Sequence, residues 1–154
     1  MIKVLFICHG NICRSPMAEF VLKDMVNKRG LADKFYIESA ATSTEEIGND
    51  VHYGTKQKLR EEGIPFSRRQ ARQIVGSDYR EFDYLIGMDE WNRRNIARKF
   101  GEDVDKKQYL LLDFSDRPRD IADPWYTGNF DITYDDIVEG CEAFLRYLKS
   151  IGAY

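Results

Sequence analysis

The sequence predicts an α/β fold: one parallel β-sheet with helices on both faces, a three-layer arrangement. Three observations carry that prediction. Short apolar runs alternate with longer amphipathic segments, the pattern of strands joined by right-handed helical crossovers. The first run, IKVLFI at 2–7, is short, rich in β-branched residues and nearly uncharged, as expected of a strand covered on both faces. The chain of 154 residues has the size of one domain, 1–154, without repeats, low-complexity tracts or linkers.

The elements follow in order. After the first strand, residues 16–29 read as a helix with Met17, Phe20, Val21, Met25 and Val26 near one face. KFYIESAA (34–41) is a second strand, and YGTKQKLREEG (53–63) a second helix ended by Gly63 ahead of Pro65. FDYLIGM (82–88) is a third strand, followed by a charged helix through Lys99. KQYLLLDF (107–114) is a fourth strand. The last helix, 133–150, carries Ile137, Cys141, Phe144, Leu145 and Leu148 at helical spacing, which places Cys141 in the core as a small apolar residue.

Composition narrows the function classes. Hydrophobic residues make up 43% and charged residues 32%, as in an ordinary globule. A net charge of -3 argues against a general nucleic-acid binder. No window approaches the ~18 apolar residues of a membrane span, and the N-terminal run is too short for a signal peptide. Three cysteines do not make a secreted disulfide framework, so a reducing cytoplasm is the expectation. The basic spot SRRQAR, with Arg68, Arg69 and Arg72, reads as a solvated loop.

In such sheets, ligands bind beyond the carboxyl ends of the strands. The first strand ends at Cys8, and CHGNICRS (8–15) follows. Ser15 suits the N-cap of the next helix and Pro16 its first position. The loop then faces the positive end of a helix, where backbone N–H groups lack intrahelical partners and can bind an anion. Gly10 and Asn11 tolerate left-handed backbone angles and let the loop curl. Arg14 adds a planar fork that fits two phosphate oxygens. Cys8 lies at the base, and the helix terminus and arginine should lower its thiol pKa. A sulfur nucleophile beneath oxyanion donors is the equipment of phosphoryl transfer.

Other readings of these residues are weaker. A zinc site needs about four ligands, and no second clip accompanies Cys8 and Cys13. A resting Cys8–Cys13 disulfide does not suit a reducing compartment, although a reversible one is chemically open to two neighbouring thiols. His9 and His52 have no evident partners and read as structural or surface residues. A leaving oxygen needs a proton, and ADPWYTGNFD (122–131) offers Asp123, stiffened by Pro124, with Trp125 and Tyr126 as walls for a flat ring. By spacing alone, Asp-Pro also simply opens turns.

CHGNICRSPMAE and DPWYTGNF together resemble the low-molecular-weight protein tyrosine phosphatases. The similarity extends to SAATSTEEIGN (39–49), ARQI (71–74) and the order of elements, nearly the whole chain. It implies a four-stranded parallel sheet and a metal-free, cofactor-free, two-step hydrolysis of phosphotyrosine proteins or small aryl phosphates. Composition adds the expectation of a cytoplasmic enzyme that needs neither nucleic acid nor membrane, and a monomer, with a weak dimer as the alternative, is the expected state.

By that resemblance Cys8 is the nucleophile, Arg14 the phosphate clamp and Asp123 the general acid and then base. His9, Gly10, Asn11, Ile12, Cys13 and Ser15 complete the phosphate loop. Ser15 supplies a hydroxyl to the thiolate, Ser39 helps hold the strained Asn11, and Cys13 can trap an oxidised Cys8 as a disulfide. Trp125 and Tyr126 form the substrate wall. Two positions depart from the pattern: Glu45 stands where many relatives carry an aromatic residue, and Arg69 where some carry histidine. Both bear on the pocket rim and on substrate preference rather than on the chemistry.

Three rivals share this signature. Thioredoxin-linked arsenate reductases need a further mobile cysteine pair, and only Cys141 is left. In protein-arginine phosphatases a threonine follows Gly-Asn, whereas Ile12 stands here and suits an aryl phosphate better. A non-catalytic phosphotyrosine-binding module would usually have lost Cys8, Arg14 or Asp123, and all three are present.

Overall fold

β1 (Ile2–Cys8) pairs in parallel with β2 (Phe35–Ala41) on one side and β3 (Tyr84–Gly87) on the other, and β4 (Gln108–Leu110) extends the sheet beyond β3. The order β2-β1-β3-β4 makes β1 a central strand. The computed structural model describes residues 1–154. Between and after the strands run α1 (Arg14–Lys28), α2 (Tyr53–Glu61), the short α3 (Asp78–Glu81), α4 (Glu90–Phe100), the short α5 (Pro124–Thr127) and α6 (Phe130–Ser150).

Central position explains why β1 is apolar from Val4 to Cys8. Successive side chains point to opposite faces, so Val4, Phe6 and Cys8 join one core with α1 and α6, while Leu5 and Ile7 join another with Leu85 and Ile96 of α4. Fully burying each such side chain contributes about 1.5–3 kcal/mol. On α6 the predicted stripe Ile137, Cys141, Phe144, Leu145 and Leu148 is fully buried. Burial also pushes the Cys141 thiol far up, since an apolar surround disfavours the thiolate.

Several boundaries differ from the sequence reading. The fourth strand stops at Leu110, and Leu111–Phe114 turns into a 3₁₀ helix. There the Asp113 carboxylate accepts from the Leu110 N–H at 2.8 Å, a local bond at the outer edge of the sheet that closes the turn. Leu111 then lies against Gly140 of α6, where any Cβ would collide with it. α6 starts earlier than expected because Asn129 caps it, its Oδ1 accepting from the Ile132 N–H at 3.0 Å. α2 ends at Glu61, before Gly63 turns the chain with φ 69°. β3 is shorter than 82–88 because Phe82 closes α3, its N–H donating to the Asp78 carbonyl.

Candidate active site

β1 delivers Cys8 to the carboxyl edge of the sheet, level with Ala41 at the end of β2. The chain then curls through His9–Cys13 into α1. Carbonyls of this loop are claimed from outside: Cys8 O accepts from Thr42 N, His9 O from Ser43 N and Ile12 O from His52 N, at 2.8–3.1 Å. No loop hydrogen bond uses the N–H of His9, Gly10, Ile12 or Cys13. With its carbonyls engaged elsewhere and these amide donors uncommitted, the loop has the electrostatics of an anion cradle. The first turn of α1 carries no acidic residue to compete.

The start of α1 departs from the sequence reading. The helix begins at Arg14, Cys13 is its N-cap residue without a side-chain bond, and Ser15 lies inside the first turn. Ser15 is not a helix cap because its hydroxyl has another partner, the Cys8 sulfur at 3.0 Å. The Asn11 N–H also reaches that sulfur, at 3.3 Å. Of the two residues expected to be left-handed, only Asn11 is, with φ 61°. Gly10 is not; its missing side chain instead makes room for Glu46, whose Cγ would lie 3.3 Å from a Cβ there.

Asn11 is held in this costly conformation from several sides. Its Nδ2 donates to Ser15 Oγ at 2.8 Å and to Ser39 Oγ at 3.0 Å, and Ser39 donates to the buried Glu19 at 2.5 Å. Its Oδ1 accepts from the Arg69 guanidinium at 3.0 Å and from the Arg72 N–H at 3.3 Å. SRRQAR is therefore not a solvated loop as a whole. Arg68 is exposed, but Arg69 supports Asn11 and Arg72 pairs with the buried Asp78 at 3.0 Å.

Arg14 is buried, and its Nη1 donates to Asp89 Oδ2 at 2.6 Å and to the Ile121 carbonyl at 2.9 Å. Its Nη2 lies 3.4 Å from Asp123 Oδ2. Burial opposes this charge, but negative charge at Cys8, Asp89 and Asp123 outweighs it and raises the guanidinium pKa. Asp123 itself caps α5: its Oδ1 accepts from the Trp125 N–H at 3.0 Å, and Pro124 occupies the first helical position. One carboxylate oxygen is thus fixed and the other faces Arg14.

A cavity of about 90 Å³ is lined by Cys8, Ile12, Cys13, Arg14 and Asp123, with Trp125 and Tyr126 beside it. The expected residues are thereby brought together, apart from Asn11, Ser15 and Ser39, which support the loop from behind. The Cys13 thiol is pushed up to about 12 by burial and then by the neighbouring charge of Cys8, so it is protonated at neutrality. Glu45 lines the mouth and pairs with His9 at 2.9 Å, giving that histidine a partner the sequence did not reveal. His52 has partners too. Its Nδ1 accepts from the Gly54 N–H at 3.0 Å, and its ring packs on Tyr53, Phe130 and Trp125. Burial lowers its pKa, consistent with a neutral, accepting ring.

Asp89 and Glu19 are not singled out as site residues by the sequence, and Arg69, expected at the pocket rim, instead lies behind Asn11 and outside the cavity lining. For Asp89 a signal existed: it directly follows the third predicted strand, whose carboxyl end belongs to the ligand edge. Glu19 looks like a helix surface charge paired with Lys23 four residues on, at 2.5 Å. Nothing local reveals that it lies under Ser39.

Residues 3–152 match the family model described as low molecular weight phosphotyrosine protein phosphatase. The chain is 43% identical over 151 residues to the low molecular weight protein-tyrosine-phosphatase YfkJ of Bacillus subtilis, covering 97% of each chain. The crystal structure of YfkJ superposes with a TM-score of 0.95 at 41% identity, over 99% of this chain and 97% of that one. Identity to the low molecular weight phosphotyrosine protein phosphatase of Gallus gallus is 42%, covering 93% of each. The drosophila arginine phosphatase DARP is similar at 34% identity with a TM-score of 0.86, over 96% of this chain and 98% of that chain. On this match of sequence, fold and phosphate loop, the chain belongs to the low molecular weight phosphotyrosine protein phosphatase family.

Proposed function

We propose that the chain hydrolyses phosphotyrosine, in proteins or as small aryl phosphates, through a phosphorylated Cys8. The observation that carries this reading is the Cys8 sulfur at the base of a cavity shared with Arg14 and Asp123. In the first step the Cys8 thiolate forms an S–P bond, and the bond from phosphorus to the phenolic oxygen breaks. Asp123 gives its proton to that oxygen. Arg14 and the loop N–H groups hold the remaining phosphate oxygens as charge spreads over them.

In the second step Asp123, now a carboxylate, takes a proton from water as the water oxygen attacks phosphorus. The S–P bond breaks and the electron pair returns to sulfur, where the Ser15 hydroxyl stabilises it. Asp89 is a positioning residue: by binding one guanidinium nitrogen it orients Arg14. Trp125 and Tyr126 offer flat faces that suit an aryl ester better than an alkyl one. Ile12 in the cavity lining offers no hydroxyl to a guanidino leaving group.

The test is steady-state phosphate release from phosphotyrosine, phosphoserine and phosphoarginine peptides side by side, with Cys8→Ser as control. Phosphotyrosine should be cleaved fastest and the variant should release nothing. Faster release from phosphoarginine would move the assignment to the chemistry named for DARP, and arsenate turnover coupled to a thiol reductant would move it to a redox enzyme.

A further inference from the structure

Outside the pocket the surface remains aromatic. Trp125 and Tyr126 are 56% and 82% exposed, and Tyr53, the first residue of α2, is 76% exposed. Exposed rings gathered in one place mark contact surfaces. His52 connects them: its ring meets Trp125 edge-on at 5.6 Å and stacks on Tyr53 at 4.5 Å and Phe130 at 5.5 Å. Past His52 an open groove runs between α2 and the start of α6, lined by Tyr53, Lys58, Glu61, Gly128, Phe130 and Asp131. Gly54 lets the Phe130 ring lie directly on α2, because a Cβ there would collide with it, so this floor is rigid.

The charge of the groove is one-sided. Its single cation, Lys58, is only 11% exposed and already meets Asp131 at 2.8 Å, Glu62 at 3.2 Å and Glu61 at 3.8 Å. Asp131 and Glu61 keep most or about half of their side chains in solvent. On the pocket side, Glu45 and Glu46 have the same sign.

We infer, resting on the phosphotyrosine reading above, that this groove takes the polypeptide flanking the phosphorylated tyrosine and selects a lysine or arginine there. The two ring-to-ring steps from Trp125 through His52 to Tyr53, 5.6 and 4.5 Å, put Tyr53 within about three residues of extended chain from Trp125 at roughly 3.3 Å each. A cation that far along meets the free carboxylate edge of Asp131 and the open face of Tyr53, and one further along the groove, at the far end of α2, meets Glu61. An acidic flank meets like charge.

The experiment compares matched phosphotyrosine peptides carrying lysine, alanine or glutamate three residues from the phosphotyrosine, on either side. Phenyl phosphate, which has no flank, is the control. In the parent, kcat/KM should be about fivefold higher for the lysine than for the glutamate peptide, mostly through KM, and the gap should shrink with salt. In the double variant Asp131→Asn, Glu61→Gln the ratio should approach one while phenyl phosphate turnover stays unchanged. In Asp131→Lys, Glu61→Lys it should invert.

A parent ratio near one, or a ratio unchanged in both variants, overturns the inference. So does a change in sedimentation that leaves the ratio alone, since the surface is then a self-association face. Failure to cleave phenyl phosphate and every peptide would instead remove the reading beneath it.

Discussion

The Ser15 hydroxyl lies 3.0 Å from the Cys8 sulfur, and its direction is set by Asn11. Because Asn11 Nδ2 donates to Ser15 Oγ, the serine proton is left to point at sulfur. The amide orientation of Asn11 is fixed in turn, since its Oδ1 faces two donors, from Arg69 and Arg72. The sulfur is thus served by a chain of aligned donors.

This geometry assigns Ser15 to the step in which sulfur leaves. A hydrogen bond to a charged partner is worth about 1.5–3 kcal/mol, so Ser15→Ala should lower kcat by roughly 10–100-fold. The phosphorylated enzyme should accumulate, giving a burst of phenol before the steady state. A change confined to KM, without a burst, would contradict the assignment.

Asp123→Ala should reduce kcat by roughly 10²–10⁴, the usual contribution of a positioned general acid. The loss should shrink for aryl phosphates whose leaving group departs without a proton. A plot of rate against leaving-group acidity is the check, and an equal loss across the series would remove the acid role.

Cys13, with its thiol held protonated by burial and by Cys8, should resist alkylation at neutral pH. Peptide mapping after brief iodoacetamide treatment should find Cys8 modified and Cys13 intact. Cys13→Ser should leave turnover nearly unchanged but make peroxide inactivation harder to reverse with a dithiol. Equal recovery in variant and parent would end the protective role.

Of the carboxylates outside the pocket that are held below their usual range, Asp50 and Glu139 are lowered furthest and contribute most to acid sensitivity. Asp50 is lowered to about 2: burial opposes this, but Lys56 and the N–H groups of Arg69 and Val51 outweigh it. Glu139 is lowered to about 2 by Arg119 and then by Ser115. Both would titrate near 4 in the unfolded chain. The folded values are the lower ones, so their contribution is complete above about pH 5 and is lost as pH falls toward 2. The melting temperature should decline slightly below about pH 6.5, where the His52 ring charges more easily in the unfolded chain, and drop more steeply below pH 4, and Glu139→Gln should flatten that steeper drop.

Much of this was legible in the sequence where the information is local. The apolar run before Cys8 marks a central strand, and Gly-Asn followed by Arg-Ser-Pro marks a loop feeding a helix. What stayed hidden depends on pairing between distant segments. Arg69 and Arg72 look like solvent charges until the isolated bridge from Ala41 to Gln73 brings their segment beneath Asn11. His52 seems unpartnered until Phe130 and Trp125 arrive from the other end of the chain. The LLLDF run looks like a strand to its end because an apolar pattern does not register the local bond by which Asp113 turns the chain at Leu110.

The most direct test of the central claim is rapid acid quench of the enzyme turning over a ³²P-labelled aryl phosphate, followed by peptide mapping. Label should appear on the peptide containing Cys8, as a thiophosphate, with none in Cys8→Ser. Turnover without any covalent label, or label on another residue, would contradict it.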